Sequence, residues 1–186
     1  MSSSSSETSF MDYFRVILLG SPRVGKTSII HWILNLSPLD EYHPTIGIKF
    51  YNLDTNLNNN QYFLQFCDVS GNEVFFSLPP SFLKTATVVV LVFDYKSKDS
   101  QLEIQNLYSK VCEYLPSTKI LVIGNKFENE KRDIPKTLAS WANTNDIAII
   151  SLSIQENIGK SLLLQNIIGI ITDISDKQLT EAVEVE

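Results

Sequence analysis

Eight consecutive residues, Gly20-Ser21-Pro22-Arg23-Val24-Gly25-Lys26-Thr27, carry the most specific chemistry in the chain. They fit the pattern G-x-x-x-x-G-K-[S/T]. In such a loop the glycines let the backbone curl so that N–H groups point inward at phosphate. Lys26 would neutralise the β- and γ-phosphates, and the Thr27 hydroxyl would ligate Mg²⁺. Ser28 follows in the same turn. A chance match in a chain of this length is on the order of one in a hundred. The pattern does not choose between ATP and GTP, or between hydrolysis and phosphoryl transfer.

A phosphate loop works only where a strand feeds it and a helix leaves it, because the helix N-terminus adds partial positive charge. Both are legible. Phe14–Leu19 is a short apolar run that reads as a buried strand, and Lys26–Leu36 puts Ile29, Ile30, Ile33 and Leu34 on one helical face. Ile46–Leu53 and Tyr62–Cys67 flank the turn-rich Asn56–Asn60 and read as a hairpin. Strands are expected at Val88–Phe93, Lys119–Gly124 and Ile147–Leu152. Helices are expected at Ser100–Tyr114, Pro135–Asn143 and Asn157–Ile174. Alternating strands and helices imply an α/β fold with a mainly parallel sheet covered on both faces. Ligands in such folds bind at the carboxyl ends of the strands.

The chain has 186 residues, 44% of them hydrophobic, which suits one domain with one sizeable core. No apolar run is long enough to span a membrane, and the Ser-rich start has neither a basic nor an apolar signal region. Residues 1–11 are expected to be disordered, and residues 175–186 to form an acidic, solvated tail. The net charge is −6, and most of it sits from Asp173 onward. No basic surface for nucleic acid or anionic lipid is expected. The two cysteines, Cys67 and Cys112, lie in apolar surroundings and read as packed, reduced thiols.

Further segments fall in order behind the loop. They are Tyr42-His43-Pro44-Thr45-Ile46-Gly47, Asp68-Val69-Ser70-Gly71-Asn72-Glu73, Asn125-Lys126-Phe127-Glu128 and Ser151-Leu152-Ser153 with Glu156-Asn157-Ile158. Taken singly, each has an ordinary structural explanation. Together, from Phe14 to about Ile171, they resemble the Ras superfamily, and the Rab GTPases in particular. The resemblance implies a three-layer P-loop NTPase G domain over residues 12–174. That fold has a six-stranded, mostly parallel sheet with one antiparallel strand and about five helices. It implies GTP/GDP and Mg²⁺ as ligands. Thr27, Thr45 and Asp68 would hold the metal, Asp68 through a water. Ser21, Pro22, Arg23, Val24, Gly25, Lys26, Thr27 and Ser28 would cradle the phosphates. Thr45 and Gly71 would sense the γ-phosphate. Asn125, Lys126 and Glu128, with Ser151, Leu152 and Ser153, would hold the base. Lys26, Gly71 and Asn72 would take part in hydrolysis. Effectors, exchange factors or activating proteins would bind around residues 38–50 and 68–86.

The chain also departs from the family. Asn72 stands where the family orients the attacking water with glutamine, and is shorter by one C–C bond, about 1.5 Å. Errors of about 1 Å in such positioning cost about 100-fold, so slow hydrolysis is expected. Glu128 replaces an aspartate that reads guanine, and Pro38 replaces the phenylalanine that covers the base in Ras. Pro22 and Arg23 replace loop glycines, Ser70 an alanine, and Ser153 a lysine. The aromatic triad that Rab proteins expose becomes Phe50, Cys67 and Phe82. No cysteine follows Cys112, so no direct lipid anchor is expected. Either membranes are reached through partners or the sequence ends early. The resulting expectation is a cytoplasmic GTP/GDP switch, recruited to membranes through partners, acting in trafficking or signalling. The rival is a catalytically weak pseudo-GTPase that serves as a protein-binding scaffold. A small P-loop kinase is disfavoured by the Asn125–Glu128 and Ser151–Ser153 segments.

Overall fold

The computed structural model describes residues 13–38, 41, 43–57, 59–126 and 134–183, the last ten by backbone alone. The Ser-rich segment 1–11 and Glu128 lie outside the described residues. In chain order the elements are β1 (Phe14–Leu19), α1 (Lys26–Ile33), β2 (Ile48–Leu57), β3 (Asn60–Val69), α2 (Asn72–Phe76) and α3 (Pro80–Leu83). Then come β4 (Ala86–Asp94), α4 (Lys98–Tyr114), β5 (Lys119–Asn125), α5 (Lys136–Thr144), β6 (Ile149–Ser151) and α6 (Lys160–Val183).

The six strands form one sheet in the order β2-β3-β1-β4-β5-β6. β2 runs antiparallel to β3, and every other pairing is parallel. Side chains alternate across the sheet, which builds two cores. Val16 and Leu18 of β1 pack on one side with Ile29 and Ile30 of α1 and Leu163, Ile167 and Ile171 of α6. Ile17 and Leu19 pack on the other with Ile104, Leu107 and Val111 of α4 and Leu138 of α5. All of these residues are at most 3% exposed. The result is the expected three-layer α/β arrangement.

The differences from expectation are local. α1 stops at Ile33, three residues early, because Asn35 turns into the left-handed region at φ 54°, a conformation asparagine tolerates well. α4 starts two residues early because the Ser97 side chain accepts the Ser100 N–H at 3.3 Å and caps it. Among the described residues there are six helices, in keeping with the expected number of about five, because the stretch after β3 forms the short α2 and α3. The backbone of α6 continues nine residues past Ile174, through the segment expected to be a separate tail. No glycine or proline interrupts Ser175–Val183, so nothing local breaks the helix.

Cys67 is fully buried in β3, whereas Cys112 on α4 is half-buried. Burial pushes the Cys67 thiol up to about 12, so its thiolate is absent near neutral pH. Only the thiolate is nucleophilic. Iodoacetamide at pH 8 is therefore expected to label Cys112 and spare Cys67, with both labelled after denaturation. Peptide mass mapping reads this, and comparable native labelling of Cys67 would contradict it.

Candidate functional site

The strand order reverses about β1, between β3 and β4. At the carboxyl ends of the strands beside this point stand Gly20 after β1, Asp68 near the end of β3, Asp94 closing β4 and Asn125 closing β5. This is the crevice where open sheets of this kind bind ligands.

The loop after β1 needs both of its glycines. Gly20 has φ 151°, and a Cβ on it would stand 2.2 Å from the Val92 carbonyl oxygen. Gly25 has φ 99°, and its Cβ would stand 2.3 Å from Asn125 Nδ2. Neither position admits a side chain without movement. Val24 is buried and pins the loop, while Pro22 and Arg23 are exposed at its tip. α1 then opens at Lys26 with no side-chain cap and no acid in its first turn. Its leading N–H groups and its dipole suit an anion.

Lys26 is only 8% exposed. Its Nζ donates to the carbonyls of Gly20 at 2.8 Å and Ser21 at 3.1 Å, so the ammonium reaches back across the loop. Burial lowers its pKa, and the nearby carboxylates of Asp68 and Glu103 oppose that shift.

The three expected metal ligands meet. Thr27 Oγ1 donates to Asp68 Oδ2 at 2.7 Å, and Thr45 Oγ1 donates to the same oxygen at 2.9 Å. The two hydroxyls are 3.2 Å apart. Asp68 is fully buried, yet its Oδ1 has no hydrogen-bond partner among the described residues. A buried carboxylate oxygen of this kind calls for a cation or water. Oxygen-only donors suit a hard divalent ion, and Mg²⁺ completes its shell with waters and phosphate oxygens. The residues therefore fit the expected metal. Behind them the Ser70 N–H donates to the Gly47 carbonyl at 3.0 Å, tying the loop that carries Thr45 to the one that carries Gly71.

β5 ends against the same loop. Asn125 Nδ2 donates to the Val24 carbonyl at 2.8 Å. Lys126 Nζ donates to the Arg23 carbonyl at 3.0 Å and pairs with Asp94 Oδ2 at 2.7 Å. Two cavities flank these contacts. One, of about 480 Å³, is lined by Pro22, Arg23, Lys26, Thr27, Thr45 and Ser70, among others. The other, of about 370 Å³, is lined by His31, Trp32, Leu36, Pro38, Asn125 and Ile154, among others. Gly25, Ser28 and Lys126 line both, so the two form one groove with a polar and a more apolar end. That division suits phosphates at one end and a base at the other.

Three expected base contacts are not on this wall. Ser151 Oγ bonds the Tyr95 hydroxyl at 2.6 Å, and the fully buried Leu152 donates its N–H to the Gly124 carbonyl at 2.7 Å. Ser153 is fully buried, exchanges backbone bonds with Ile158, and accepts the Glu156 N–H on its hydroxyl at 3.2 Å. The ladder between β5 and β6 draws this segment inward, and Ile154 and Gln155 line the cavity in its place. Trp32 was also missed by sequence reasoning. Its signal was available: Ser28 and Trp32 are four apart on α1 and so share a face.

Gly71 precedes α2 in extended backbone, with nothing within 4 Å of an added Cβ. Asn72 opens α2. Its Oδ1 accepts the Gly20 N–H at 3.1 Å and its Nδ2 donates to Glu103 Oε1 at 2.8 Å. The expected aromatic surface is present in part. The Phe50 and Phe82 rings meet edge to face at 6.1 Å, and the Arg15 guanidinium lies 4.9 Å from the Phe82 centroid. Cys67 pairs with Phe50 across β2 and β3 but is fully covered, so it adds nothing to that face.

Comparison with protein families matches residues 15–173 to the Ras family. Among individual proteins, the chain is 31% identical over 161 residues to the Ras-related protein Rab7 of Drosophila melanogaster, covering 81% of this chain and 76% of that one. It is 26% identical over 180 residues to human Ras-related protein Rab-7b, covering 92% and 90%. It is 30% identical over 139 residues to human EF-hand calcium-binding domain-containing protein 4B, covering 72% of this chain but only 18% of that much longer protein. The family match spans the loop after β1, the Asp68 strand and the Asn125 strand, the same elements that build the groove, and the chain belongs to the Ras family of small GTPases.

Proposed function

We propose that this chain is a Rab-like switch that binds GTP and GDP with Mg²⁺, hydrolyses GTP slowly, and presents residues 38–50 and 68–86 to partners in a nucleotide-dependent way. The observation that carries the reading is the Asp68 carboxylate. It joins Thr27 of α1 to Thr45 of the next loop and keeps one buried oxygen unpartnered. Thr45 and Gly71 lie on two loops linked by the Ser70–Gly47 bond, so loss of the γ-phosphate would relax both together. The metal, when bound, neutralises charge on the β- and γ-phosphate oxygens. Lys26 does the same from the loop, and the first N–H groups of α1 orient the phosphates. Asn125 and Lys126 brace the base end, and Glu128 is assigned to reading guanine. The proposal includes a cytoplasmic location with recruitment to membranes through partners and a role in trafficking or signalling; of these, only trafficking draws support from the likeness to Rab7. The Phe50–Phe82–Arg15 face is the surface such partners would meet.

The test is to extract the nucleotide that co-purifies and then follow GTP with excess Mg²⁺ in a single turnover. Guanine nucleotide and slow conversion to GDP are expected. A protein that holds no nucleotide and gains none on incubation would make it a scaffold instead. In the same assay Asn72→Gln is expected to speed hydrolysis about tenfold, because positioning a water is a geometric task sensitive to about 1 Å. Equal rates would remove side-chain length as the cause of slow turnover.

A further inference from the structure

Both ends of the Asn72 amide are already engaged. One bond goes to Gly20 N–H at the root of the phosphate loop, the other to Glu103 Oε1. The second Glu103 oxygen accepts the Ser21 hydroxyl from the same loop. Glu103 lies in the second turn of α4, a helix fixed to the sheet by the buried Ile104, Leu107 and Val111. It is therefore a rigidly mounted acceptor. Its bond to Asn72 is charge-assisted, which places it among the stronger kinds. The amide keeps one N–H and one lone pair, but bonds at both ends fix its orientation, so it is not free to swing toward a reacting water. An open cavity of about 740 Å³ between α2 and α4 is lined by Gly71, Asn72 and Glu103, so there is room for Asn72 to leave this position.

We propose that Glu103 is a positioning residue that holds Asn72 against Gly20 and away from the reacting water, and so acts as a built-in brake on hydrolysis. This rests on the reading of the chain as a GTP-hydrolysing switch. The brake is separate from the shortness of Asn72: removing the carboxylate frees the side chain without lengthening it. Glu103 also sits near Lys26, so its loss could act through charge alone. A coupled design separates the two routes.

The wild-type chain, Glu103→Ala, Glu103→Gln, Asn72→Ala and the double variant Asn72→Ala/Glu103→Ala are first assayed for binding of a fluorescent GTP analogue. GTP is then followed in single turnovers with excess Mg²⁺. Glu103→Ala is expected to speed cleavage about fivefold when Asn72 is present and to have less than about a twofold effect when it is not, as coupling between contacting residues requires. Glu103→Gln keeps an acceptor for Asn72 and is expected to fall nearer wild type than Glu103→Ala does. The Asn72 side-chain amide signals in a ¹⁵N-correlated NMR spectrum should shift in Glu103→Ala and move less in Glu103→Gln. Equal acceleration in both Asn72 backgrounds would overturn the brake in favour of a charge effect. So would an unchanged or slower rate in Glu103→Ala, or unmoved amide signals. Wild type that binds no GTP analogue would overturn the switch reading itself, and the brake with it.

Discussion

Lys26→Met is expected to cut affinity for GDP and GTP by roughly two to three orders of magnitude while leaving the empty protein at least as stable as wild type. Loss of one partner from a buried, hydrogen-bonded charge pair costs about 3–5 kcal/mol, and each 1.4 kcal/mol is about tenfold. The stability half follows from the opposite side of the same interaction. Lys26 is an ammonium at 8% exposure, and burial lowers its pKa. A group with a lowered folded pKa binds fewer protons in the native state than when unfolded. Stability from this group therefore rises with pH through the range between its folded and unfolded values and is least below it. Methionine keeps the length and removes that burden. It gives up the bonds to the Gly20 and Ser21 carbonyls, which offsets part of the gain. Affinity by fluorescent-nucleotide titration and melting of the nucleotide-free protein should thus move independently. A large fall in melting temperature would mean that Lys26 is chiefly structural.

Asp68→Asn is expected to uncouple nucleotide retention from Mg²⁺. In wild type, removing Mg²⁺ with a chelator should speed GDP release by about 10- to 100-fold, the scale on which losing a supporting ligand weakens a metal site. In Asp68→Asn, release in excess Mg²⁺ should already be close to the wild-type rate in chelator. The substitution is mild for the fold. An asparagine oxygen can accept the same two hydroxyls, from Thr27 and Thr45, and the oxygen with no described partner becomes an amide nitrogen without charge. Stopped-flow release with and without chelator checks this. A variant still tenfold slower in Mg²⁺ than in chelator would show that Asp68 is not the acid that matters.

The two predictions rest on different kinds of information. Lys26 belongs to a contiguous loop whose chemistry is local. Gly20, Gly25, Lys26 and Thr27 are within eight residues, and their spacing alone places N–H groups, ammonium and hydroxyl around one anion. The strands and helices around it were equally legible, because burial on both faces of a parallel sheet leaves plain apolar runs such as Val88–Phe93. Helical spacing likewise marks α4. The resemblance to Ras proteins supplied Thr45, Asp68, Asn125 and Lys126, and the fold brings all four to the loop.

What the chain could not disclose depends on contacts between distant segments. Ser151, Leu152 and Ser153 matched a motif, but the β5–β6 ladder turns them inward and gives the cavity wall to Ile154 and Gln155. Cys67 matched a surface aromatic position, yet the register against Phe50 leaves it fully covered. Glu103 had no motif at all. It matters because α4, capped by Ser97, points its second turn at a residue 31 positions earlier. Local spacing can specify a loop that binds phosphate, because every atom involved is held by the same few bonds. Which side chain restrains another on a distant element is set only when the layers pack, and here that decides where Asn72 points.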